Sequence, residues 1–103
     1  MSIIEIYRAK VDPAKVERLL EIHDQAVAEY QEKVPELEGI ELVRLDDDTW
    51  LDIIRWSGPV DPQRLESACG RRATEVHTLM ADELGHDCGE LVHSSGSAWA
   101  AAR

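Results

Sequence analysis

Apolar and polar positions along the chain follow two rhythms: alternation in four short stretches, and three-and-four spacing in two longer ones. Alternation is sharpest in Thr49 to Gly58, TWLDIIRWSG, where Trp50, Asp52, Ile54 and Trp56 share one strand face and Leu51, Ile53 and Arg55 the other. Both faces are largely apolar, which predicts an inner strand of a sheet covered on both sides. Asp52 breaks the pattern. A carboxylate between two tryptophans on a buried face is costly unless it is paired, hydrogen-bonded or protonated, so it is a candidate for chemistry.

The same reading orders the rest of the chain. Ser2 to Ala9 forms a first strand, with Ile4 and Ile6 on one face and Ile3, Glu5 and Tyr7 on the other. Asp12-Pro13 opens a helix, since aspartate caps free amides and proline is preorganised for the first helical position. That helix is expected to run to about Lys33, because Pro35 restricts the residue before it. Its core stripe is Val16, Leu19, Leu20, His23, Val27 and Tyr30. Gly39 closes the connection, Ile40 to Leu45 makes a second strand, and the turn Asp46-Asp47-Asp48 joins it in a hairpin to the Thr49 stretch. Asp61-Pro62 repeats the helix-start signal, and the second helical region extends to about Leu84, with a break at Gly70. Its stripe is Leu65, Ala73, Val76, His77, Met80 and Leu84, and Gly85 is the expected stop. A last strand covers His86 to Ser94. The tail 95–103, SGSAWAAAR, is expected to be flexible unless Trp99 docks on a partner.

Strand, helix, strand, strand, helix, strand is the split βαβ order of an α+β, ferredoxin-like domain with a four-stranded antiparallel sheet, here residues 1–94. Its helices cover one sheet face only. The other face carries Leu51 and Ile53, which a second copy of the sheet would bury under two-fold symmetry, so a homodimer is expected.

Composition narrows the partners. The chain has 103 residues and a formal charge of −10, its basic residues are scattered, and Arg71-Arg72 is their only adjacent pair. Such a chain is not expected to bind nucleic acid or anionic membrane, because phosphate contact needs clustered cations. No apolar run approaches a membrane span and no signal peptide is evident, which with two isolated cysteines points to the cytoplasm. No metal site is expected: His86 and Cys88 share a strand face with Asp87 and His93 opposite, and two ligands do not close a zinc site. Cys69 lacks C-x-x-C spacing, and no phosphate-binding glycine motif occurs.

The plan over residues 2–94 resembles the dimeric α/β-barrel superfamily, and the WLDIIRWSG strand followed by a helix is similar to its antibiotic biosynthesis monooxygenase type. In the anthrone-oxidising members the corresponding strand carries a polar amide four residues before a tryptophan, and the second helix adds a polar residue to the same pocket. Asp52 and Trp56 match that spacing, and His77 falls near the helix position. The amide is here an acid, the helical residue is histidine, and the chain has no phenylalanine. The resemblance implies a pairing as a dimeric α/β barrel, and both helix stripes facing Asp52 and Trp56.

A cofactor-free oxygenase needs a base to take a proton from an acidic phenol or anthrone, after which the anion itself reacts with oxygen. Asp52 or His77 are the expected catalytic groups, with Trp50, Trp56 and His23 binding a small apolar or aromatic, polyketide-like substrate. The same set would serve an enolate-forming isomerase or cyclase. The alternative is a non-catalytic dimer that binds a small molecule, with Asp52 paired or hydrated and the histidines and tryptophans ordinary core residues. The two readings differ in whether Asp52 and His77 line an open cavity.

Overall fold

The structure, a computed structural model, describes residues 2–95. The expectations for the tail, Trp99 included, fall on residues 96–103 and lie outside the described residues. In chain order the elements are β1 (Ile3–Lys10), a 3₁₀ turn (Pro13–Lys15), α1 (Val16–Lys33), β2 (Leu37–Arg44), β3 (Thr49–Trp56), α2 (Pro62–Ala68), α3 (Arg71–Leu79) and β4 (Asp82–Glu90). The strands form one antiparallel sheet in the order β2-β3-β1-β4, so the two central strands are the ones with apolar residues on both faces. This is the ferredoxin-like α+β arrangement.

Both helix starts follow from the Asp-Pro pairs. The Asp12 carboxylate accepts from the Ala14 amide at 3.0 Å and that of Asp61 from the Gln63 amide at 2.9 Å. The first pair opens a 3₁₀ turn before α1, and the second starts α2 directly. Gly70 separates α2 from α3, as the sequence pattern indicates.

One helix face and several element boundaries differ from the sequence reading. Leu20 is 52% exposed, while Ile22 and Ala26 are buried with Leu19 and His23. Successive residues turn about 100° round a helix, so Leu20 falls to the flank of the arc centred on Leu19, Ile22 and Ala26. Strand β2 begins at Leu37, and Gly39 lies within it, at a register shift against β3. Helix α3 ends at Leu79, not Leu84. Met80 leaves helical geometry, is 2% exposed, and its carbonyl accepts from the Tyr7 hydroxyl at 3.1 Å; this anchors the turn, and Asp82 then pairs with Lys10. Leu84 and Gly85 therefore belong to β4, where Leu84 is 47% exposed, and the strand ends at Glu90 instead of Ser94.

The core lies between the helices and one face of the sheet, in two clusters. One joins Ala9, Val11, Leu19, Ile22, Ala26, Trp50, Val76 and Met80; the other joins Val34, Leu37, Trp56 and Ala68. The opposite sheet face presents Ile4, Ile6, Val43, Leu51 and Ile53, of which Ile6 and Val43 are exposed. Among the described residues no helix is long and apolar enough to cross a membrane.

Candidate active site

Strand pairing sets the floor of the site. On the helix-covered face of β3, Trp50, Asp52, Ile54 and Trp56 stand opposite Ala9, Tyr7, Glu5 and Ile3 of β1. Beyond β1, Tyr7 and Glu5 face His86 and Cys88 of β4, and on the other side Asp52 faces Leu42 of β2. Asp52 thus sits near the sheet's centre, between the two apolar clusters.

Two adjoining cavities meet at Asp52, Ile54, Val76 and His77. The inner one, about 90 Å³, lies between α1, α3 and the sheet, and His23, Ala26, Tyr30, Trp56 and Ala73 are among its walls. The outer one, about 290 Å³, is bounded by Glu5, Tyr7, Met80 and His86. Alanines at 26 and 73 account for part of the inner space, since larger side chains there would reach the sheet. The two together reach the lower end of the size of small-molecule sites, about 300–1,000 Å³.

Asp52 has one buried oxygen, Oδ1, with no hydrogen-bond partner among the described residues. Burial, with a smaller contribution from the Glu5 charge, pushes its carboxyl from the ordinary 3.8 up to about 7. His23, 7% exposed, likewise has an unpartnered Nε2, and burial holds its imidazole below the ordinary histidine value, partly offset by Asp24. Two buried polar atoms without protein partners therefore border one apolar chamber. Such atoms are uncommon in folded proteins and call for a specific explanation.

The sequence candidates divide at this point. Asp52, Trp56, His23 and His77 converge on the inner cavity. Trp50 does not border either of these two cavities; it is 5% exposed within the first core cluster, with the Arg44 guanidinium over its ring at 5.8 Å. Trp50 stands one inward position beyond Asp52 on the strand, on the side away from Trp56. His77 is exposed on its outer side, with Nδ1 3.8 Å from the Cys69 sulfur.

Glu5, Tyr7 and His86 were not among the sequence candidates. Glu5 Oε1 accepts from the Trp56 indole N–H at 2.6 Å, and its Oε2 lies 2.8 Å from His86 Nε2. Burial and the charges of Glu83 and Asp52 raise the Tyr7 hydroxyl above its usual value. The available signal was an acid at an inward position of a central strand, between Ile3 and Tyr7, the same anomaly that marks Asp52. Among the described residues no group of three or more His, Cys, Asp or Glu side chains is placed to hold a metal ion. His86 and Cys88 do share a face, and His86 is engaged by Glu5.

No protein-family model and no curated protein matches this chain. Solved structures do match it along nearly its whole length. A Chloroflexus aurantiacus protein bearing the provisional name antibiotic biosynthesis monooxygenase has a TM-score of 0.61 at 14% identity, with 93% of this chain and 98% of that one covered. SnoaB from Streptomyces nogalater, a cofactor-independent oxygenase, has a TM-score of 0.59 at 15% identity, covering 90% and 95%. HapK from Hahella chejuensis has a TM-score of 0.62 at 12% identity, covering 93% and 97%. The chain has the ferredoxin-like fold of antibiotic biosynthesis monooxygenase-type proteins. At these identities the likeness establishes architecture, and function is argued from the site.

Proposed function

We propose that the protein is a cofactor-independent monooxygenase, or a related enolate-forming enzyme, acting on a small aromatic or polyketide-like substrate. The observation that carries this reading is Asp52: a half-buried carboxyl, shifted to about 7, with one buried, unpartnered oxygen on a residue that lines an apolar chamber. A group of that kind is poised to take a proton at working pH.

In the proposed reaction an aromatic substrate lies against Trp56 and Tyr30, whose rings are 6.4 Å apart and tilted by 58°. Asp52 removes a proton from a carbon or phenol made acidic by a neighbouring carbonyl. The protein environment helps, because burial favours the neutral acid that Asp52 becomes. The substrate anion then passes an electron to molecular oxygen, and the two recombine to a peroxide. Protonation by Asp52 and loss of water leave a new carbonyl, with one oxygen atom in the product and the other in water. His77 and His23 would orient the substrate's oxygens, with His77 the alternative base. The homodimer belongs to the same proposal: a second sheet packing on Ile4, Ile6, Val43, Leu51 and Ile53 would cover the open face.

Oxygen uptake with hydroxylated aromatic substrates tests the reading. Asp52→Ala is expected to lose about 10²–10⁴-fold in turnover while retaining ligand, with a smaller loss for His77→Ala. Ligand binding without oxygen uptake or proton exchange in the unmodified protein would move it to the class of binding proteins, and unchanged turnover in both variants would remove the site. Light scattering at micromolar concentration is expected to give twice the chain mass; a monomer would contradict the dimer.

A further inference from the structure

We infer that Glu5 is a positioning residue of this site, a carboxylate fixed between Trp56 and His86 whose held negative charge adds to the proton affinity of Asp52. The inference rests on the reading of Asp52 as the base and adds the residue that tunes it.

The geometry comes from three adjacent strands. Glu5 lies on β1 directly opposite Ile54, one inward position along from the Tyr7–Asp52 pair, so it is the diagonal neighbour of Asp52 on the covered face. Both of its oxygens are engaged, one by the indole N–H of Trp56 on β3 at 2.6 Å and one by His86 Nε2 on β4 at 2.8 Å. A carboxylate only accepts, so each contact requires a proton on the nitrogen. Ordinary glutamates swing among rotamers and keep their charge in water. This one is held at both oxygens, on the wall of the outer cavity that also touches Asp52. A fixed like charge at such a place favours the neutral form of its neighbour. Burial of Asp52 acts in the same direction, and the Glu5 charge adds to it.

The other groups around Asp52 do not duplicate this role. Tyr7, across on β1, donates a hydrogen bond to the Met80 carbonyl and stays neutral as its hydroxyl is raised. On α1, His23 is held toward the neutral imidazole by burial. On α3, His77 places Nδ1 3.8 Å from the Cys69 sulfur, and on β4, His86 is the partner of Glu5. On β2, Leu42 stands opposite Asp52 with Ile40 and Arg44 on its two diagonals; Arg44 is exposed and lies over the Trp50 ring, and it brings no negative charge. Glu5 is thus the carboxylate that shares the outer chamber with Asp52. Its two contacts also link the aromatic wall at Trp56 to the edge strand, so the element that tunes the base aligns the substrate-facing ring.

The test is the titration of the Asp52 side-chain carboxyl carbon by NMR in the full-length protein, with the signal assigned through Asp52→Asn. It needs no substrate, so it can fail while turnover stands, and turnover can fail while it stands. Glu5→Gln keeps the shape and one acceptor for Trp56 but removes the charge. Its Asp52 midpoint is expected to fall by roughly 0.5–1.5 pH units. Glu5→Asp keeps the charge and shortens the reach, and is expected to restore most of the shift. A residue with a merely structural role would change thermal stability and leave the midpoint in place. A folded Glu5→Gln protein with the midpoint unchanged would overturn the inference. The unmodified protein supplies a second measurement should that variant not fold. The Glu5 carboxyl carbon is expected to shift in step with the Asp52 midpoint, because a charge that forms on Asp52 is felt by a carboxylate close enough to act on it; its absence would also overturn the inference.

Discussion

Trp50 and Trp56 stand on the same face of the same strand, are 5% and 6% exposed, and have different surroundings. Around Trp50 the helices and sheet close completely: Leu19, Ile22, Val76 and Met80 fill the space, and its indole N–H is buried without a partner among the described residues. Around Trp56 the second cluster is smaller, small residues on α1 and α3 leave a chamber, and the indole N–H is held by Glu5. Equal burial therefore does not mean equal role. What separates the two is the neighbouring side-chain volume and the destination of the polar atom.

Substitution at the two positions is expected to break the comparison most sharply. Trp50→Ala should cost about 3–5 kcal/mol of stability, the usual penalty for a large buried aromatic, measured by urea unfolding. The milder pair separates the roles. Trp50→Phe is expected to lower stability with ligand affinity unchanged, whereas Trp56→Phe weakens binding and leaves Glu5 Oε1 without its donor. Equal effects of the two phenylalanine variants on affinity would mean that the cavity does not distinguish the two ends of the strand.

A somewhat smaller effect follows from the carboxyl between them. In the unfolded chain Asp52 titrates near 3.8 and in the folded protein at about 7, so folding disfavours its charged form. The contribution of this group to stability is therefore greatest below about pH 4, declines as the pH rises toward 7, and levels off above it. The shift of about three units sets an upper bound of about 4 kcal/mol on that decline. Asp52→Asn is expected to remove it, so that the variant gains stability relative to the parent at pH 8 but not at pH 4. Parallel pH–stability curves for the two proteins would show that Asp52 titrates as an exposed acid.

Much of this was legible in the residues. Period-two spacing put Asp52, Trp50 and Trp56 on one face, three-and-four spacing put His23 and His77 on core stripes, and the family resemblance implied that those stripes face it. The Asp-Pro pairs marked both helix starts, because capping is a local matter. Local periodicity could not say where α3 stops. Leu84 continues the helical stripe from Met80, yet the competing β4–β1 pairing claims residues from Asp82 onward. Nor could it separate Trp50 from Trp56, since the chamber depends on Ala26 and Ala73, far away in the chain. Glu5 was visible as an acid sharing a strand face with Ile3 and Tyr7, but its contacts with Trp56 and His86 are ones that only the strand order β3-β1-β4 brings within reach.

The most direct measurement is the titration midpoint of the Asp52 carboxyl in the unmodified protein, read from its carboxyl carbon by NMR. A midpoint near 7 is the result predicted for a buried base facing the chamber beside Glu5. A midpoint near the ordinary 3.8 would contradict it, because the carboxylate would then be solvated or paired and poorly matched to proton abstraction at neutral pH.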